Sequence, residues 1–256
     1  MSRPRERAFT LVEVAVVLLV VALLLAGLSV PLAAQVQMRR HEETRRLLDE
    51  AREALMGFAA ANARLPCPAS AASRGEESFA PGGDAANGLC SNFHDGFLPA
   101  ASLGLAPLDD EGYLRDAWMA RANRVRYAVF GAGATVNGVA NPFTRANGLQ
   151  AATLAGLGTA PHFLILCASG AGLTASSCGS GANQLTRRAA FVLLSLGPDA
   201  AATPPPGSDA QRNLDGDGVF VWHEASEAPG NAFDDVLTWV PVNVLASRLV
   251  AAGRLP

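Results

Sequence analysis

The chain has 256 residues and a mass of 26.4 kDa, enough for one ordinary domain, or for one domain plus an appendage. Half of it is apolar, 17% is charged and the formal net charge is −3, which excludes a disordered polyelectrolyte and a strongly cationic nucleic-acid binder. Aromatic residues make up 6%, too few for a base-stacking platform. All 20 basic residues are Arg, which beside abundant Ala and Gly reads as coding bias.

The N-terminus carries the strongest signal. A short leader, MSRPRERA, holds Arg3, Arg5 and Arg7, and no charge falls between Val14 and Met38. A helix of about 20 apolar residues crosses the hydrocarbon core of a bilayer, so this block predicts a membrane span. A secretory signal peptide fits less well, because the apolar block is too long and no cleavage site clearly closes it. Arginines flank the span on both sides (Arg39, Arg40, Arg45 and Arg46 follow it), so charge alone does not orient it. Glu13 stands at the edge of the block, and carboxylates at membrane depth usually have partners. One partner would be the free amino group of a neighbouring chain cut just before Phe9.

The run from Arg7 to Pro31 (RAFTLVEVAVVLLVVALLLAGLSVP) resembles the processing segment of type IV prepilins and type II secretion pseudopilins. It has the short basic leader, Phe at the cut, Glu as fifth residue after it and the long apolar helix. The resemblance covers about an eighth of the chain. It implies cleavage between Ala8 and Phe9 by a prepilin peptidase, N-methylation of Phe9, and pairing of Glu13 with the amino terminus of an adjacent pilin or pseudopilin subunit. It also implies an inner-membrane assembly platform as partner, and a single-pass chain with its C-terminal domain in the periplasm or on a cell-surface filament. Two features depart from the family: Ala8 stands where Gly is usual, and Pro31 lies about one residue late.

Beyond the span, Leu47, Leu48, Ala51, Ala54, Leu55, Phe58 and Ala59 recur at three- and four-residue spacing, which predicts an amphipathic helix over 39–62. Pro66 and Pro68 end it. Residues 66 to about 118 read as a long irregular connection. Short β-branched or aromatic runs predict strands at Val125–Phe130, Phe163–Cys167, Ala189–Leu196, Val219–Trp222 and Val236–Val240, with a helix over Val242–Leu255. The expected fold is α+β and pilin-like, a long helix packed on a small antiparallel sheet with long loops. The expected divisions are a leader 1–8, a transmembrane and filament-core helix 9–38, its amphipathic continuation 39–62 and a periplasmic globular domain 63–256.

Cys67, Cys90, Cys167 and Cys178 form an even set in an exported domain, which favours disulfides. Three connectivities are open. We favour Cys67–Cys90 and Cys167–Cys178, because each closes a local Gly-rich loop. The sharpest internal motif is Asn213-Leu-Asp215-Gly-Asp217-Gly218 followed by Glu224. It matches a calcium loop except for Asn at the first position, with alternate oxygens from Asn213, Asp215, Asp217 and Glu224 converging on one cation. A solvated acidic turn is the default reading, since Asp-Gly-Asp-Gly is a common turn and the flanks do not read as two helices. Asp234 and Asp235 are candidates for a different site.

No enzyme signature emerges. Gly170-Ala-Gly172-Leu-Thr-Ala175 matches a dinucleotide fingerprint only superficially, His94-Asp95 reads as an isolated pair in a loop, and nothing in the sequence points to a triad around His41, His162 or His223. The expected function is structural: a filament subunit in type II secretion or type IV pilus assembly, a minor one judging from size and irregularity. The alternative is a single-pass anchored periplasmic binding or enzymatic domain. Nucleic acid is not an expected partner, because loss of the leader moves the net charge from −3 to −5.

Overall fold

A computed structural model of the chain describes residues 10–255, with the side chains of 24–33 outside the description. The chain divides into two compact units, Met1–Glu42 and Glu43–Pro256. One helix, α1 (Leu11–Asn62), contributes to both. After it come β1 (Gly96–Phe97), β2 (Arg126–Val129), β3 (Thr135–Val136), β4 (Val139–Ala140), α2 (Gly148–Ala152) and α3 (Leu154–Thr159). The chain continues through β5 (Leu164–Cys167), β6 (Gln184–Ser195), α4 (Asp209–Arg212), β7 (Val219–Val221), β8 (Ser226–Ala228), β9 (Asn231–Phe233), β10 (Val236–Pro241) and α5 (Val242–Ala251).

In the Glu43–Pro256 unit the apolar stripe of α1 forms one side of the core. Leu48, Ala51, Leu55 and Ala59 are buried at three- and four-residue spacing, Met56 joins them, and Asp49, Glu50 and Glu53 stay exposed. This half of α1 belongs to the compact unit because it supplies core. Ala63 ends the helix in the left-handed conformation (φ 54°), and the prolines at 66 and 68 prevent its resumption. From the other end of the chain, Arg254 donates Nε to the Ala60 carbonyl (2.9 Å) and Nη2 to that of Ala61 (2.6 Å). These carbonyls have no partner within the helix, and a cation there also meets the negative end of its dipole.

The main sheet is built on β6. At Ala189–Ser195 its buried residues pair with β10 along one edge. Along the other edge β2 covers Phe191–Leu194 and β5 covers Gln184–Ala189. The strand is longer than the apolar run Ala189–Leu196 predicts, because Gln184–Arg188 is recruited by pairing with β5 rather than by burial. The antiparallel expectation needs correction: β5 and β7 run parallel, so the sheet is mixed. The intervening chain contains β6 and α4, long enough to return the strand in the same direction, and both strands are buried throughout, as parallel pairs require. Phe130, Phe143 and Phe163 pack edge to face beside the sheet, with centroids 4.9–5.5 Å apart.

The segment between α1 and β2 carries little regular structure, as expected, and polar ties replace it. Arg64, 7% exposed, forms a two-pronged pair with Glu77 (2.8 and 2.7 Å), and Glu77 also accepts from the Cys67 amide. Farther along, Asp109 accepts from Arg115 and Arg124, and the Arg124 guanidinium lies 4.1 Å over the Tyr113 ring. Gly75 and Gly112 approach so closely that a Cβ on Gly75 would lie 1.9 Å from the Gly112 carbonyl oxygen, which only a glycine permits.

Two disulfides complete the unit, Cys67–Cys90 and Cys167–Cys178, the pairing favoured from loop closure. Cys67 lies 23 residues before its partner, a loop for which chain entropy predicts about 3 kcal/mol of stabilisation. The Cys67→Ser/Cys90→Ser variant of the full chain is expected to lose roughly that amount in urea unfolding in detergent. An unchanged midpoint would contradict it.

Candidate functional site

In the N-terminal unit, α1 starts with Thr10 as its cap. The Thr10 amide and hydroxyl both donate to Glu13 Oε2 (2.9 and 3.0 Å), and the Glu13 amide donates back to Thr10 Oγ1 (3.3 Å). This is a capping box, T-x-x-E, satisfying amides that the first turn leaves without partners. Glu13 is therefore held in a defined position at the start of an apolar surface: Leu11, Val12, Val16, Val17, Leu18, Leu19 and Leu23 are all more than half exposed. Such an apolar surface is unusual on a monomer in water and marks a site of contact with lipid or protein. Among the described residues no helix is long and apolar enough to cross a membrane. The predicted span lies partly on residues 24–33, and the cleavage pair Ala8 and Phe9 falls outside the described residues.

The calcium-loop residues do different work from one another. Asn213 is buried (4% exposed) and its amide lies along β7: Nδ2 donates to the Val221 carbonyl (3.1 Å), and Oδ1 accepts from the Val221 amide (2.7 Å). One side chain thus imitates a neighbouring strand and closes the edge of the sheet. Nδ2 also donates to Asp235 Oδ2 (2.7 Å). The oxygen that would open the ligand set is already engaged. Asp215 Oδ1 accepts from the Asp217 amide and Asp217 Oδ1 from the Val219 amide, the local bonds of a turn. Glu224 is exposed. Among the described residues no group of three or more His, Cys, Asp or Glu is placed to hold a metal ion.

Burial dominates the acids nearby. It raises Asp217 to about 6, with Asp215 beside it adding to the effect, and raises Asp235 to about 7. Asp234 is likewise raised to about 7, by burial and by contact with Asp199. Asp109 goes the other way, to about 2: its hydrogen bonds from the Tyr113 and Glu111 amides and from Arg124 and Arg115 outweigh burial, which alone would raise it.

His223 has a partner that sequence reading missed. Its Nε2 lies 3.0 Å from Asp209 Oδ2, its Nδ1 2.7 Å from the Glu224 carbonyl oxygen, and its ring stacks on Phe233 at 4.0 Å. Asp209 also accepts from the Gly170 amide (2.6 Å) and from Asn231 Nδ2 (3.0 Å). Both imidazole nitrogens are committed, one to a main-chain carbonyl, so Asp209 in α4 ties together the turn after β7, through His223, and β9, through Asn231, rather than serving a nucleophile. The glycines at 170 and 172 lie in the loop closed by Cys167–Cys178, with a 3₁₀ turn after it instead of the helix a dinucleotide site needs. His94 is half-buried against Gly216 and Gly218, and Asp95 pairs with Arg126.

Comparison with known families locates the functional segment. Residues 3–29 match the family model described as the prokaryotic N-terminal methylation motif. The chain therefore carries a prepilin-type cleavage and methylation segment, with Ala8, Phe9 and Glu13 inside it. No curated protein and no solved structure matches the chain.

Proposed function

We propose that this chain is a non-enzymatic, prepilin-like structural subunit, cut between Ala8 and Phe9 by a prepilin peptidase and methylated on Phe9. The apolar part of α1 anchors it as a single pass in the inner membrane and then packs with other pilin-like subunits in a filament of type II secretion or type IV pilus assembly. The observation that carries this reading is the methylation motif over residues 3–29, with Glu13 held at the head of an exposed apolar helix surface. Supporting it are the α+β organisation of the second unit, with the long helix packed on its sheet, and the two disulfides, which suit an oxidising compartment. Glu13 would neutralise the amino group of Phe9 on the next subunit, which removes the cost of a lone carboxylate at membrane depth.

Mass spectrometry of the N-terminal peptide, from the host's membranes, tests the proposal. The expected result is a chain beginning at N-methylated Phe9. A retained leader in a host with active prepilin peptidase would overturn it and direct attention to an anchored periplasmic domain with an activity of its own.

A further inference from the structure

A groove of about 260 Å³ opens in the second unit between the Glu43–Leu47 turn of α1 and the segment Pro107–Met119. Leu47, Leu108, Leu114 and Met119 give it an apolar floor, and Met119 is 63% exposed. Three of its four charged groups are already engaged: Asp109 with Arg115, and Asp116 with Ser195 and Asn123. The fourth, Glu43, is exposed and forms no ion pair among the described residues. The groove is therefore apolar with one uncommitted negative charge at its rim.

The N-terminal unit carries the complement. Val36 and Met38 are 47% and 64% exposed, and Arg39 and Arg40 next to them form no ion pair among the described residues. We propose that the groove receives the Val36–Arg40 stretch of a second copy of this chain, with Met38 on the apolar floor and Arg39 against Glu43.

The charge pattern of α1 matches itself in the register this requires. When one copy is moved four residues along a parallel copy, about 6 Å, Arg39 comes level with Glu43, Glu42 with Arg46 and Arg45 with Asp49; Arg46 and Asp49 already pair along their own helix, with Glu50 (3.1 Å) and Arg52 (3.5 Å), so Arg39 and Glu43 carry the match. Between 39 and 53 only Asp49, level with Glu53, meets a like charge. Exposed ion pairs add little affinity, but opposed charges disfavour wrong registers, so the pattern sets the stagger while Met38 supplies contact area. The inference rests on the filament reading above, in which Glu13 meets the amino group of a neighbour's Phe9, four residues earlier in the chain. It favours a repeated subunit over the minor one expected from size.

The test uses two full-length variants, Arg39→Cys and Glu43→Cys, produced together in the native host and oxidised in membranes or sheared filaments. The four native cysteines are all paired, so a new disulfide reads cleanly. A disulfide dimer of this chain should form in the mixture and with neither variant alone. In parallel, Arg39→Glu and Glu43→Arg should each lower filament yield several-fold, and the variant carrying both should recover it. Processed, filamentous protein without the mixed dimer, a cross-link to a different pilin, or no recovery would overturn this interface while leaving the proposed function standing. An unprocessed chain would overturn both.

Discussion

Replacing Asn213 with alanine is expected to lower stability by about 3–5 kcal/mol, since it leaves the Val221 amide, the Val221 carbonyl and Asp235 without their partner. The side chain is 4% exposed, so water does not readily replace it. The more informative change is Asn213→Asp. It completes the acidic pattern of a calcium loop, and if the loop bound calcium it would strengthen the site. The structure predicts the reverse. An aspartate can accept from the Val221 amide, but it cannot donate to the Val221 carbonyl, and it sets a second carboxylate against Asp235. Asn213→Asp should therefore unfold at lower urea than the parent with or without millimolar calcium. A calcium-dependent rise in its unfolding temperature would show that the loop is a cation site.

The second large effect concerns pH. Asp235 is buried and raised to about 7, so the folded chain holds a proton there that the unfolded chain releases near pH 4. Between those values the native state binds more protons, and stability falls as pH rises. The full penalty, on the order of 4 kcal/mol for a shift of about three units, is present above pH 7 and absent below pH 4. Asp234 and Asp217 are raised as well and act in the same direction. Asp109, at about 2, opposes them only in strong acid, where its favourable contribution is lost as pH falls through its folded value. Urea unfolding of the full chain in detergent should thus show greater stability at pH 4–5 than at pH 8. Asp235→Asn keeps an oxygen for Asn213 Nδ2 and removes the ionisation. It should gain stability over the parent at pH 8 and match it near pH 4. A parent whose stability is flat from pH 4 to 8 would contradict the burial argument.

Several features were legible from local pattern. The end of α1 at Asn62 follows from the prolines after it, and the buried cores of β2, β5, β6, β7 and β10 follow from apolar runs of strand length. Two more features have equally local signatures. Thr10-Leu-Val-Glu13 is a capping box, and Asn137-Gly138, both at positive φ, is the two-residue turn joining β3 and β4. The role of Asn213 was not legible in its motif for a physical reason: alternating oxygens suit a cation loop and a strand-edge plug alike, and the side chain's hydrogen bonds go to Val221 and Asp235, 8 and 22 residues away.

Composition and local spacing settle the properties that depend on neighbours within a turn or two. These are the processing motif with Glu13 at its proper distance from Phe9, the extended apolar block, the amphipathic stripe of α1 and the residues that enter the core. Properties that depend on which distant groups meet were settled by folding. The parallel return of β7 beside β5, the His223–Asp209 tie, the Arg254 cap on α1 and the burial that shifts Asp235 all join segments far apart in the chain. Periodicity reports the face a residue turns toward the core, but a buried polar group takes its role from the partner it finds there.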